Sequence, residues 1–245
     1  MPPAIMRILL LQIREQSDPM LIQERFAFAE ALDLDVETFL PLDLLYEQLT
    51  PRHLHEVDLV MIGGSGKYSA TSEEDWLYRA LDSIRLLYDS RKPTFASCWG
   101  FQAVCRALGG SVVTDLNRAE VGSIQTNLTE EGRADRIFGA CTDPFYSFLG
   151  HQDIVTQLPA EAILLASTDQ VENQAITFPD RLFYATQFHP ELSRPRFLER
   201  VEAYPEYVER IYGISYDEFE RGLSEAPEMA SLLKRFVKLV QEVSV

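Results

Sequence analysis

The chain has 245 residues, 46% hydrophobic and 24% charged, the balance of an ordinary globule long enough to bury a sizeable core. Its formal charge of −16 has the wrong sign for phosphate backbones or anionic bilayers, and no apolar run approaches a transmembrane span, so neither nucleic acid nor membrane is expected as a partner. Three cysteines without a CxxC pair, and no signal-peptide pattern ahead of the first apolar run, predict free thiols in a reducing, cytoplasmic setting.

Arg7 to Ile13 is a short apolar run that suits a buried strand. Leu21, Phe26, Ala29 and Leu32 give Met20 to Leu32 a helical spacing. Val36 to Leu40 reads as a second strand and Val57 to Ile62 as a third, running into Gly63-Gly64. Ahead of that third strand, His53 and His55 have no further metal-ligating residue nearby and read as surface positions. Ser72-Glu-Glu-Asp75 resembles a helix start with acids in its first turn, and the helix runs to about Ser90 with Trp76, Leu77, Ala80, Leu81, Ile84 and Leu87 on one face. Pro93 to Ser97 is a fourth strand. Phe101, Val104, Cys105 and Leu108 then mark a short helix that Gly109-Gly110 stops.

From Ser111 to Glu191 the pattern changes to strands and loops, with Asn173 to Phe178 and Leu182 to Phe188 reading as an antiparallel hairpin around Pro179-Asp180. Beyond it, Arg196 to Ile211, Tyr216 to Leu223 and Glu228 to Val243 have helical spacing, punctuated by Pro195, Pro205 and Pro227. This order predicts an α/β fold: a mainly parallel central sheet with helices on both faces, a small antiparallel portion, and a helical C-terminal extension. Residues 1–191 are expected to form the main domain, with 192–245 packed on it.

Two segments carry chemistry. Cys98 lies where a buried strand meets a helix N-terminus, a place whose unpaired N–H groups favour a thiolate. The Trp99 N–H would face a developing oxyanion, and Gly63-Gly64, on the same sheet rim, could supply a second donor. Downstream, His189 and Glu191 stand two residues apart, where an extended chain points both the same way. Nucleophile, base and a group to orient the base are therefore all present. By contrast, Cys105 and Cys141 read as core thiols. Gly63 to Lys67 fails as a phosphate loop, because Met61 and Tyr68 occupy required Gly and Ser/Thr positions.

In that order, the Gly-Gly loop, Cys98-x-Gly-x-Gln102 and His189-Pro-Glu191 resemble the class I glutamine amidotransferases, whose triad is Cys, His and Glu. Glu120-Val-Gly122 and His151-Gln-Asp153 ahead of Leu158-Pro159 are similar to the stand-alone branch that looks like the amidotransferase half of GMP synthetase. The resemblance implies a flavodoxin-like amidotransferase fold needing no cofactor or metal. It implies that Cys98 attacks the glutamine side-chain amide to form a γ-glutamyl thioester, with His189, held by Glu191, shuttling the proton. Gly64 and Trp99 would line the oxyanion hole through their backbones, while Gln102, His151 and Asp153 would grip the substrate's amino-acid end.

Departures from the family pattern, Ser65 after Gly-Gly and Gly150-His-Gln152-Asp153, touch the pocket and leave the substrate open. About fifty residues follow Glu191, too few for a nucleotide-activating domain, so a separate synthetase subunit is expected to accept the ammonia unless the enzyme works alone. Hydrolysis of γ-glutamyl peptides or conjugates by the same triad stays open, as do a cysteine peptidase of related fold and a non-catalytic regulatory subunit.

Overall fold

The computed structural model describes residues 6–205, 208, 211 and 213–243. The first half alternates as expected, with one further short helix, α2, between the second and third strands: β1 (Ile8–Gln12), α1 (Met20–Leu32), β2 (Phe39–Asp43), α2 (Pro51–His55), β3 (Leu59–Ile62), α3 (Asp75–Asp89), β4 (Thr94–Ser97) and α4 (Trp99–Ala107). Strands then dominate: β5 (Ser111–Thr114), β6 (Glu120–Leu128), β7 (Phe145–His151), β8 (Asp153–Gln157), β9 (Ile163–Ser167), β10 (Ala175–Thr177) and β11 (Phe183–Thr186), with the short α5 (Glu130–Ala134) among them. α6 (Arg194–Ala203), α7 (Tyr216–Gly222) and α8 (Glu228–Val243) follow. The part of the expected 196–211 helix beyond Ala203 lies partly outside the described residues.

Among the described residues the strands form a nine-stranded sheet in the order β2-β1-β3-β4-β11-β10-β9-β6-β7, with β5 and β8 paired separately. β2, β1, β3, β4 and β11 run parallel, and from β11 onward every pairing is antiparallel. Side chains alternate across the parallel half, as period two requires. Ile8, Leu10, Leu59, Met61 and Phe95 enter one core with Phe28 of α1 and Phe236 of α8, while Leu9, Leu11, Val60, Ile62 and Ala96 enter the other with α3 and α4. α8 thus packs in the α1 core, its Phe236 ring 5.4 Å from Phe95. No helix among the described residues is long and apolar enough to cross a membrane.

Three local expectations shift. The segment read as a strand over Val36 to Leu40 begins as a 3₁₀ turn at Val36–Thr38, fixed by the Asp35 side chain accepting the Glu37 N–H, and β2 starts only at Phe39. α3 starts at Asp75 rather than Ser72, whose hydroxyl instead closes a turn on the Glu74 N–H. α1 has the expected ends but a different inner face: Phe26 is exposed, while Gln23 and Glu24 are buried. Polar partners beneath the helix draw those two inward, as the site shows.

Candidate active site

β4 ends at Ser97 and α4 begins at Trp99, so Cys98 alone turns the chain. Its backbone sits at φ 52°, ψ −106°, a conformation costly for any residue but glycine. The Cys98 N–H donates to the Thr186 carbonyl of β11 at 2.8 Å, which ties the elbow to the neighbouring strand. The strained angle of the turn therefore falls on Cys98 and not on Gly100. Glycine is needed at 100 because α4 crosses β3 closely: a Cβ there would lie 2.9 Å from Ile62 Cγ2 and 3.1 Å from its carbonyl oxygen.

Strand order brings the motifs together. β4 lies between β3 and β11, with Ile62 beside Ala96 and Ser97 beside Thr186. Gly63-Gly64, Cys98 and the chain entering His189 therefore share the C-terminal rim of the parallel strands. A Cβ placed on Gly64 would lie 2.9 Å from His189 Cε1 and 3.5 Å from Cys98 Cβ, so imidazole and thiol flank this glycine.

His189 is buried beside Cys98 and pairs through Nδ1 with Glu191 Oε1 at 2.7 Å. Burial alone would lower the His189 pKa; the Glu191 charge, then Cys98, reverse this and carry it up to about 9. Glu191 answers in the opposite sense: burial would raise it, but the His189 charge and hydrogen bond, followed by Arg200, hold it near about 2. Arg200 Nη1 donates to the same Glu191 oxygen at 3.3 Å. Gln187 adds an N–H···S contact, its Nε2 lying 3.8 Å from Cys98 Sγ.

Beneath the glycines lies a buried charge cluster that no motif announced. Glu24 is fully buried and accepts from Gln12 Nε2 at 3.0 Å, from Arg14 Nε at 3.3 Å and Nη2 at 3.1 Å, and from the Gly64 N–H at 3.0 Å. Next to it on α1, Gln23 Oε1 accepts from Arg200 Nη2 at 3.1 Å. Helix α1 thus grips the glycine loop with one residue and, through Arg200, Glu191 with the other. The Gly64 N–H, expected to face an oxyanion, is engaged by a carboxylate in this conformation. Trp99 opens α4, so its N–H has no acceptor within the helix. A glutamate inside the apolar stripe Met20, Ala27, Phe28, Ala31 was the one sequence signal for this cluster. Arg200 left no comparable mark.

The three expected substrate-binding residues share one cavity with Cys98, Trp99 and the 65–69 loop. Several of their polar atoms are already braced. Gln102 Nε2 donates to the Asp153 carbonyl at 2.9 Å and to Gln187 Oε1 at 3.1 Å. Both ring nitrogens of His151 are engaged, Nε2 with Glu120 Oε2 and Nδ1 with the Asp153 carbonyl, each at 3.1 Å. This pairing also accounts for the buried Glu120 of the Glu-Val-Gly segment, which accepts from Gln174 at 2.6 Å as well. The Asp153 carboxylate takes the hydroxyl protons of Ser69 at 2.5 Å and Thr114 at 2.6 Å, and ionised oxygens keep lone pairs for a further donor. Away from the site, His53 caps α2, its Nδ1 accepting the Thr50 N–H at 3.2 Å.

A sheet rim carrying a strained cysteine elbow beside a histidine–carboxylate pair is the arrangement of an α/β protein of the amidotransferase class. The chain belongs to the class-I glutamine amidotransferase family, whose model matches residues 31–199. It is 32% identical over 139 residues to a subunit of the glutamine-hydrolyzing GMP synthase of Sulfolobus acidocaldarius, covering 57% of this chain and 70% of that protein. The corresponding GMP synthase subunit of Sulfurisphaera tokodaii is 26% identical, over 64% of this chain and 78% of its own. In fold, the chain is similar to a glutamine amidotransferase from Thermotoga maritima, at TM-score 0.75 and 23% identity over 97% of this chain and 98% of the other. A glutamine amidotransferase from Methylobacillus flagellatus matches at TM-score 0.69 and 19% identity, over 95% and 94%.

Proposed function

We propose that the chain hydrolyses the side-chain amide of glutamine through a thioester on Cys98. The observation that carries this reading is the grouping of Cys98, His189 and Glu191, with the thiol and imidazole flanking Gly64, the sulfur on a strained elbow and a buried carboxylate 2.7 Å from the imidazole. With the thiol proton transferred to His189, the Cys98 sulfur attacks the amide carbon, the C–S bond forms, and the electron pair of the breaking C–N bond leaves on nitrogen, which takes that proton from His189. Water then attacks the thioester with His189 as base, which releases glutamate and restores the thiol. Glu191 keeps the imidazole oriented, with Arg200 as its positioning partner.

The Trp99 N–H serves as an oxyanion donor. Gly64 joins it only if the Gly63–Gly64 peptide reorients away from Glu24. Asp153 receives the substrate's α-ammonium group, while Gln102 and His151 hold the cavity wall in shape rather than touching substrate. The Sulfolobus and Sulfurisphaera relatives are each one subunit of a GMP synthase, which supports a separate synthetase subunit that takes up the ammonia. Residues 192–245 belong to the same domain as 1–191 in this reading, because α8 fills the α1 core and Arg200 reaches Glu191.

The test is mass spectrometry of the intact protein after incubation with the glutamine analogue 6-diazo-5-oxo-norleucine, followed by peptide mapping. A single adduct on Cys98 that excess glutamine blocks is expected, together with loss of glutaminase activity in Cys98→Ser. Alkylation of Cys98 by iodoacetamide without labelling by the analogue would mean a reactive thiol in a pocket that does not recognise glutamine.

A further inference from the structure

Two cavities meet at the site and divide its working groups between them. The cavity with Gln102 and Asp153 touches Cys98 but not His189. A second one shares the rim of Ser65, Gly66 and Gly150, and it touches His189 but not Cys98. Reaction chemistry gives each a role. The acyl carbon ends up on sulfur, whereas the departing nitrogen takes its proton from the imidazole, so the nitrogen leaves on the His189 side. Resting on the glutaminase reading above, we propose that this second cavity is the leaving-group pocket and that it selects a neutral nitrogen, ammonia or a short alkylamine, over an amino acid.

The walls are Val121, Phe197, Val201 and the ring of Tyr204, three of them from the segment that follows His-Pro-Glu. Tyr204 is fixed: its hydroxyl donates to Asp18 at 2.7 Å and accepts from Arg14 at 3.1 Å. It also lies directly on the glycine loop, since a Cβ on Gly66 would meet its Cζ at 2.4 Å. Arg14 and Arg200 face this cavity, yet both charges are compensated. Arg14 pairs with Asp18 and Glu24, each at 3.1 Å; Arg200 pairs with Glu191 at 3.3 Å and stands 4.0 Å from Glu24. Three carboxylates against two guanidiniums leave the cluster with no excess positive charge. A leaving group that bears its own carboxylate would lose its hydration here and find no uncompensated cation. A neutral nitrogen needs no countercharge and meets the apolar walls without that cost.

The experiment compares glutamate release from glutamine, γ-glutamylethylamide and γ-glutamylalanine, whose leaving groups separate size from charge. The ethylamide is expected within about tenfold of glutamine in kcat/KM, and γ-glutamylalanine roughly a hundredfold below the ethylamide. Val201→Lys, which places a cation in the apolar wall, should narrow the second gap by about tenfold or more; if that variant does not fold, the wild-type series still decides. Equal turnover of ethylamide and γ-glutamylalanine overturns the proposal and leaves the glutaminase reading intact. So does an ethylamide as poor as γ-glutamylalanine, because size rather than charge would then govern. Turnover of none of the three, with Cys98 unlabelled by the glutamine analogue, overturns both.

Discussion

At the scale of single residues, the behaviour of His189 comes from its neighbours. Its pKa in the fold, about 9, exceeds the ordinary 6.5, so its stabilising contribution is complete below pH 6.5 and is lost as the pH climbs through about 9. Glu191 mirrors it: held near about 2 against an ordinary 4.5, it stabilises above pH 4.5 and loses that contribution as the pH falls through about 2. The expected result is that the melting-temperature advantage of wild type over His189→Gln is larger at pH 6 than at pH 10. An advantage that is the same at both would count against an imidazolium held between Cys98 and Glu191. Cys105, in the helix that follows Cys98, offers the contrast. It is fully buried and desolvation pushes its thiol up, so Cys105→Ala should leave labelling of Cys98 by the glutamine analogue unchanged.

At the scale of elements, the site depends on how closely α4 approaches β3 and on what α1 presents inward. Gly100→Ala forces a methyl against Ile62, including its backbone oxygen, and α4 cannot shift without moving the elbow. We expect a loss of about 1–3 kcal/mol in urea unfolding, typical of overpacking, accompanied by reduced glutaminase activity. Unchanged stability would show that the two elements are less tightly docked than described. On α1, Gln23 and Glu24 replace apolar residues on the buried face because Arg14, Arg200 and the Gly64 N–H need acceptors there. Glu24→Ala would leave the buried Arg14 without its main partner, and a cost of about 3 kcal/mol or more is expected by the same measurement.

At the scale of the whole molecule, the helical segment after Glu191 is built into both the core and the site. Phe236 of α8 is fully buried, 5.4 Å from Phe95 and 6.1 Å from Tyr184, at the strands that flank the cysteine elbow. Phe236→Ala should cost about 3–5 kcal/mol, with one cooperative transition followed at both near- and far-ultraviolet wavelengths. Two separate transitions would mean that the helical segment unfolds independently, contrary to the one-domain reading. α6 and the residue after it supply Phe197, Arg200, Val201 and Tyr204 to the cavity beside His189, so in the proposed reaction this segment shapes the chemistry as well as the stability.

The sequence by itself determined the main strands and helices up to α4, the later hairpin, the cysteine at a strand–helix junction and the His-Pro-Glu pair. These are local matters: hydrophobic period, glycine stops and side-chain direction act within a few residues. It also carried the family resemblance, since the motifs stand in the expected order. Only the tertiary structure decided which strands are neighbours, and therefore that 63–64, 98 and 189 meet on one rim. It likewise decided that Gln23 and Glu24 face inward and that Arg200 joins Glu191. A charge inside an apolar stripe, as Glu24 is, marks at most a buried ion and not its partners, because what offsets its desolvation comes from elsewhere in the chain. Glu24 meets Arg14, Arg200 and the Gly64 N–H only through contacts that folding creates.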